Sequence, residues 1–174
     1  GQPGWGASGR NGGFCCHGGA KLSAQQITAQ HGAAAAREWA AFEYGAIERV
    51  RDNLARYAID ADAGPEGELY MAHSVRSFAR MQAAPLEAGA ELLPRAALAE
   101  RGMQGAGLHG ALLSPHGFPL HPLKYALGLA RAVQAAGVPL HGDSTVTGMV
   151  REGGGWRLQT ARGTLRAKQV LVAT

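Results

Sequence analysis

The sequence predicts an α/β fold, and three observations carry that reading. Apolar residues recur at steps of three and four over 24–57 and 122–136, the spacing of amphipathic helices. Short apolar or alternating runs separated by glycine turns fill much of the last third, the pattern of short strands. The run Val170-Leu171-Val172-Ala173 is apolar on both faces, which predicts a central, buried, parallel strand. Helix, strand, three-stranded antiparallel piece and return strand then make a parallel sheet with a β-meander layered over it.

The elements follow in order. Glycines 1, 4, 6, 9, 12, 13, 18 and 19 make residues 1–20 a loop. Ser23 is a suitable N-cap, and a helix runs from Ala24 to about Tyr57, broken near Gly32. Trp39, Phe42, Ala46, Val50, Leu54 and Tyr57 form its inward face, opposite Arg37, Glu38, Glu48, Arg51 and Asp52. Asp60 to Gly67 is a turn region, and Glu68 to His73 a short strand. Val75 to Ala88 reads as helix, with Phe78, Met81 and Leu86 inward. Pro94 opens a short helix to Arg101, as proline does in a first turn. Leu108 to Leu113 is a strand candidate, followed by the loop 114–117. Pro122 starts a helix that Gly137 stops. Strand candidates follow at Val138–His141, Thr145–Val150, Trp156–Thr160 and Thr164–Arg166, the last leading into Gln169–Ala173. Gly153-Gly154-Gly155 and Arg162-Gly163 form the hairpin turns.

Composition excludes several classes. The 17 basic residues exceed the 13 acidic ones by only four and are scattered, so no basic stripe for nucleic acid exists. No stretch is long and apolar enough to span a membrane. The cysteines, Cys15 and Cys16, are adjacent, and adjacent cysteines rarely pair. Together with His17 they are a poor tetrahedral ligand set, so no metal is expected. Two free thiols suit a reducing compartment, and the expected location is cytoplasmic.

Chemistry concentrates at the start. Gly4-Trp5-Gly6-Ala7-Ser8-Gly9 matches G-x-G-x-x-G, but that fingerprint works only where a strand feeds it and a helix follows. Only three residues precede it here, and a second glycine loop follows. The whole stretch Ala7-Ser8-Gly9-Arg10-Asn11-Gly12-Gly13 instead reads as a loop lying against a large planar or anionic ligand. Ser8 and Asn11 offer hydrogen bonds, Arg10 a phosphate fork, and the glycines close backbone approach. An ordinary surface loop is the competing reading, and residues alone leave both open.

The decamer at 4–13, Gly117-Phe118, the run 121–125 and Leu171-Val172-Ala173-Thr174 resemble the FAD-dependent oxidoreductases of the D-amino-acid oxidase type. The likeness is greatest to the gamma-glutamylputrescine oxidoreductase-like members and covers essentially the whole chain. It implies a partial FAD-binding, Rossmann-like domain with an inserted α+β substrate-domain segment. Residues 1–60 would belong to the FAD-binding domain, 61–120 to the substrate domain, and 121–174 to the FAD-binding domain again. The resemblance places Ala7, Ser8 and Gly9 at the pyrophosphate and ribityl chain of FAD and Asn11, Gly12, Gly13 and Phe14 beside the isoalloxazine ring, and Arg10, with its phosphate fork, is expected to bind the cofactor too. It places Val146 where backbone reads the adenine edge, and Ala173 and Thr174 where the last strand meets the cofactor. The implied activity is oxidation of a C–N bond of a small amine or amino acid, with hydride transfer to FAD. A dehydrogenase of another small compound, or a non-catalytic piece that holds no cofactor alone, are the alternatives. The family's strand, true fingerprint and ribose-binding acid would come before Gly1, and its second half after Thr174, so an internal piece of a longer protein is expected.

No residue can be assigned catalysis from the sequence. His17 reads as a loop histidine satisfied by backbone. His109, His116 and His121 lack carboxylates at ligand spacing. Ser8 lies outside any Gly-x-Ser-x-Gly elbow and has no relay partner.

Overall fold

The computed structural model describes residues 1–19 and 21–173. After a single 3-10 turn at Ala7–Gly9, the order is β1 (Phe14–Cys15), α1 (Ala24–Arg56), β2 (Glu68–Ala72), α2 (Val75–Ala83) and β3 (Glu91–Pro94). Then come α3 (Arg95–Glu100), β4 (Gly110–Ser114), β5 (Phe118–Pro119), α4 (Pro122–Ala135), β6 (Val146–Glu152), β7 (Gly155–Thr160) and β8 (Gly163–Ala167).

Local chemistry sets the helix ends. Ser23 caps α1 in a capping box: its hydroxyl accepts from the Gln26 amide at 3.2 Å, and the Gln26 side chain accepts from the Ser23 amide at 2.8 Å. Gly32, at φ 88°, breaks the helical backbone where the sequence places the break. Pro122 enters α4 at its first turn, and Gly137 follows its end at φ 80°. The α2 helix stops at Ala83, five residues earlier than expected (Ala88), because Ala84 precedes Pro85 and is held extended.

Among the described residues three sheets form, and each is antiparallel. β1 pairs with β5, β2 and β3 flank β4, and β6–β7–β8 form the expected meander. The expected parallel sheet is not present among the described residues. Gln169–Ala173 forms no strand there, and Leu171 and Val172 are 91% and 64% exposed. A strand apolar on both faces needs a partner on each edge and a layer on each face, and no described strand supplies them. Val138–His141 is likewise no strand: the Val138 amide donates to the Val133 carbonyl at 3.2 Å and finishes α4. Strand β1 lies inside the stretch expected to be loop, and β3 and β5 lie mostly in stretches for which the sequence predicts no element.

The core lies under the β2–β4–β3 sheet. Leu93, Leu98 and Ala111 are fully buried, with Leu69, Met71, Met103 and Leu113 packed around them. Period-two alternation puts Leu69, Met71, Ala111 and Leu113 on one face, against α3. Glu68, Tyr70, Leu112 and Ser114 therefore share the other face. On α1 the buried residues are Ile27 and Ile47, whereas Trp39 and Phe42, expected inward, are 38% and 66% exposed and lean on each other. Gly128 of α4 lets Ile59 approach so closely that a Cβ there would lie 2.4 Å from the isoleucine side chain.

Leu98→Ala is expected to cost about 2–5 kcal/mol, because it opens a cavity in the fully enclosed cluster of Leu93, Leu98 and Ala111. Denaturant unfolding of wild type and variant side by side checks this.

Candidate functional site

The glycine-rich loop is shaped by its own contacts. The Ala7–Gly9 turn sits on the N-terminal half of α4, where Gly4 and Gly9 meet Leu123. Asn11 is the clip: its Nδ2 donates to the carbonyls of Ala7 at 3.0 Å and Ser8 at 3.2 Å. Its Oδ1 accepts from the Gly13 amide at 2.9 Å, an Asx turn. The expectation that Asn11 donates outward to a ligand is thus altered, since both ends of its amide hold the loop. Gly13 is buried at φ 72°, and a Cβ there would fall 2.0 Å from the Leu120 carbonyl oxygen. Only glycine fits that backbone and that approach.

The outward side of the loop is open. Ala7, Ser8, Arg10, Asn11 and Gly12 are exposed, and nothing lies within 4 Å of a Cβ built at Gly6. The first amides of a helical turn have no partner inside it, so those of Ala7 and Ser8 face outward chemistry. The Arg10 guanidinium lies over the Trp5 ring, 4.8 Å from its centre. Phe14, 78% exposed, begins β1 opposite Pro119. Ser8, Asn11, Gly13 and Phe14 line one side of a cleft of about 380 Å³ whose other side includes Leu120, Tyr125 and Ala126. Free amides, a guanidinium, an exposed aromatic and an apolar cleft fit a large planar group bearing phosphates.

Val146 opens β6 and lines a different cleft, of about 490 Å³, with Leu140, His141 and Leu158. The two regions touch through Gln2, whose amide donates to the Asp143 carboxylate, while the Asp143 amide donates to the Gly1 carbonyl at 2.9 Å. Ala173 is exposed, lines neither cleft, and lies in the segment that forms no strand. Thr174 lies outside the described residues.

A second group of polar side chains gathers behind the loop exit. The His17 ring lies 4.1 Å from that of Tyr44 and 5.5 Å from that of His116, and Tyr44 and His116 are 4.8 Å apart, all edge-on. The Tyr44 hydroxyl donates to the Glu87 carboxylate at 2.5 Å. The His116 amide donates to the hydroxyl of buried Ser114 at 3.3 Å. Glu68, which faces Ser114 across the ladder, accepts from the Tyr70 hydroxyl at 2.8 Å. His17 is not satisfied by backbone as expected: its Nε2 is buried without a hydrogen-bond partner.

Ionisation follows from these contacts. The bond to Glu87, with burial, pushes the Tyr44 phenol up to about 12. Burial raises the Tyr70 phenol too, helped by its bond to Glu68. Burial pushes the Glu87 carboxyl up, but hydrogen bonds from Ser114 and Tyr44 and the nearby imidazoles of His116 and His17 outweigh it and hold it low. Burial raises both cysteine thiols, which are free. This is not the setting of a reactive thiolate. Sequence spacing missed Tyr44, Glu68, Tyr70 and Glu87, because they come from separate elements. Their only sequence trace is the single acid in an apolar stretch at Glu87 and the alternation of Glu68 with Tyr70.

The family model described as FAD dependent oxidoreductase matches residues 1–174. Gamma-glutamylputrescine oxidoreductase of Escherichia coli (strain K12) is 31% identical over 176 residues, covering 98% of this chain and 40% of that protein. The probable oxidoreductase OrdL of Haemophilus influenzae is 37% identical over 65 residues, 37% of this chain and 15% of that protein. Among solved structures, glycine oxidase from Geobacillus kaustophilus superposes with a TM-score of 0.64 at 21% identity, over 94% of this chain and 44% of that one. The likeness to glycine oxidase shows the fold. The chain spans less than half the length of each of these proteins.

Two outcomes are expected. Asn11→Ala removes the acceptor of the Gly13 amide, so that amide should exchange hydrogen faster, whereas Asn11→Asp keeps the acceptor and its protection; amide exchange at Gly13 reads the difference. Tyr44 is held protonated in the fold, so its stabilising share is complete below its ordinary value of 10 and drains as the pH rises to about 12. The ultraviolet tyrosinate difference between wild type and Tyr44→Phe should show a midpoint near 12.

Proposed function

This chain belongs to the FAD dependent oxidoreductase family, and we propose that its protein oxidises a C–N bond of a small amine or amino acid. FAD is the family's cofactor. The observation that carries the reading is the Ala7–Phe14 loop, clipped by Asn11 and open outward above an apolar cleft. When bound, FAD supplies a two-electron acceptor: a substrate C–H bond breaks, the hydride leaves with both electrons, and the nitrogen lone pair closes a C=N bond that water hydrolyses.

The residues of this chain would act on that chemistry by binding and positioning. The Ala7 and Ser8 amides and Arg10 take anionic oxygens, as turn amides and guanidinium groups do. Gly12 and Gly13 bring backbone close to a flat ring, and exposed Phe14 offers it an apolar side. Val146, Ala173 and Thr174 are proposed to complete the cofactor site, the first through its backbone. Residues 1–60 and 121–174 would serve the cofactor and 61–120 the substrate, the sheet of that middle segment turning its Glu68–Tyr70 face toward the loop exit. The E. coli relative named for gamma-glutamylputrescine supports an amine substrate. No helix among the described residues is long and apolar enough to cross a membrane, and the free thiols suit the cytoplasm.

The whole protein carrying this chain, purified and supplied with FAD, should show a flavin absorption band and bleach it anaerobically with an amine or amino acid. Absence of the band would sink the reading.

A further inference from the structure

The His17–Tyr44–His116 rings and the carboxylates of Glu68 and Glu87 lie between the loop exit, α1 and the second face of the β2–β4–β3 sheet. Three features define their chemistry. First, the two carboxylates have no cationic partner: among the described residues, no lysine or arginine pairs with either, and both take neutral phenol donors instead. The nearby cation, Arg51, lies over the Phe118 ring and is held by Glu48 and Glu66. Second, the aromatic groups remain available. Tyr70 is 37% exposed, and each tyrosine spends its hydroxyl hydrogen on a carboxylate, which leaves its ring face for other contacts. Third, the His17 Nε2 is enclosed without a partner, and an enclosed polar atom left unpaired is costly.

Two carboxylates that no lysine or arginine neutralises, beside tyrosine and imidazole rings, are the complement of an organic ammonium, which carries N–H donors and binds ring faces. They repel a carboxylate, whose capture needs a fixed guanidinium or ammonium. Resting on the amine-oxidising reading above, we propose that this cluster binds an ammonium end of the substrate, and that the substrate carries no carboxylate at that end. The held nitrogen is not the one oxidised. Closing a C=N bond uses a nitrogen lone pair, and an ammonium has none. The substrate class is therefore a compound with two basic nitrogens, one held as a cation here and one reacting as a free amine.

The test uses the whole FAD-loaded protein and the probes 1,4-diaminobutane, 4-aminobutyrate and glycine. Binding is read by calorimetric titration under anaerobic conditions, apart from turnover. The diamine is expected to bind at least about tenfold more tightly than either carboxylate compound. Glu68→Gln and Glu87→Gln should each weaken it about tenfold or more while the flavin band is kept, and Glu91→Gln, on the opposite sheet face, should leave it unchanged. Equal binding of the three probes to the wild type overturns the proposal, as does undiminished diamine binding in flavin-retaining Gln variants. If Glu87→Gln fails to fold, Glu68→Gln and the three-probe comparison decide. Loss of the flavin band in the wild type is a different result, and strikes the cofactor reading rather than this one.

Discussion

The fold depends on one extended strap, residues 117–121, that is hydrogen-bonded along both edges. On one edge it meets the glycine-rich loop: Phe118 and Pro119 pair with β1, and the Leu120 amide donates to the Gly13 carbonyl at 2.8 Å. On the other edge it holds the segment after α1. The Gly64 amide donates to Pro119 at 2.8 Å, the Gly67 amide to Gly117 at 2.9 Å, and the His121 amide to Ala61 at 2.6 Å. A partly buried strap must satisfy its enclosed amides and carbonyls somewhere. Here it does so by joining two distant stretches of chain to itself, with Phe118 buried at the centre under Arg51.

That constraint places the chemistry. The strap leads directly into α4, so the loop clipped to its first edge rests on the N-terminal half of that helix. The strap also follows β4, so His116 and Ser114 arrive beside the loop exit, where His17 emerges. The loop cleft and the His–Tyr–Glu cluster are two ends of one junction. Ion pairs contribute little to it: those of Arg51, Arg101 and Lys124 are at least a third exposed, and exposed pairs are worth under about 1 kcal/mol. Backbone pairing and the close approach at Gly13 do the positioning.

Local signals in the sequence were good guides where the structure is local. The Ser23 cap, the Gly32 break, the Pro122 start and the glycine hairpin of the meander each depend on residues within a few positions, and each stands as read. The failures are non-local. Val170–Ala173 is a strand by pattern, but a strand exists only with an edge to pair, and pattern carries no record of the partner. The two-residue strands β1 and β5 exist only because they pair with each other. Trp39 and Phe42 share a helical face with Val50 and Leu54, yet apolar spacing identifies a stripe and not what covers it. The glycine-rich loop was legible as a loop because its residues are contiguous. The Tyr44–Glu87 pair spans 43 positions, and only folding brings it together.

The loop also shows how a recognisable motif can mislead about roles. Ser8, Asn11 and Arg10 look alike in sequence, as polar side chains among glycines. Asn11 has used both ends of its amide on Ala7, Ser8 and Gly13, so on the proposed reading its part in recognition would be indirect, through the backbone it fixes. Ser8 gives its carbonyl to Asn11 while its side chain stays exposed. A loop built this way presents donors that pay no reorganisation when an anion arrives, because their directions are already held from behind. Selectivity then has to come from elsewhere. On the proposed reading the same strap that holds the loop supplies the elsewhere, a cluster of acids and rings from five separate segments in which no lysine or arginine pairs with Glu68 or Glu87 among the described residues. On the proposed reading, the loop backbone would take the cofactor and the side chains of the cluster the substrate, so substitutions at Glu68 or Glu87 are expected to alter the second without touching the first.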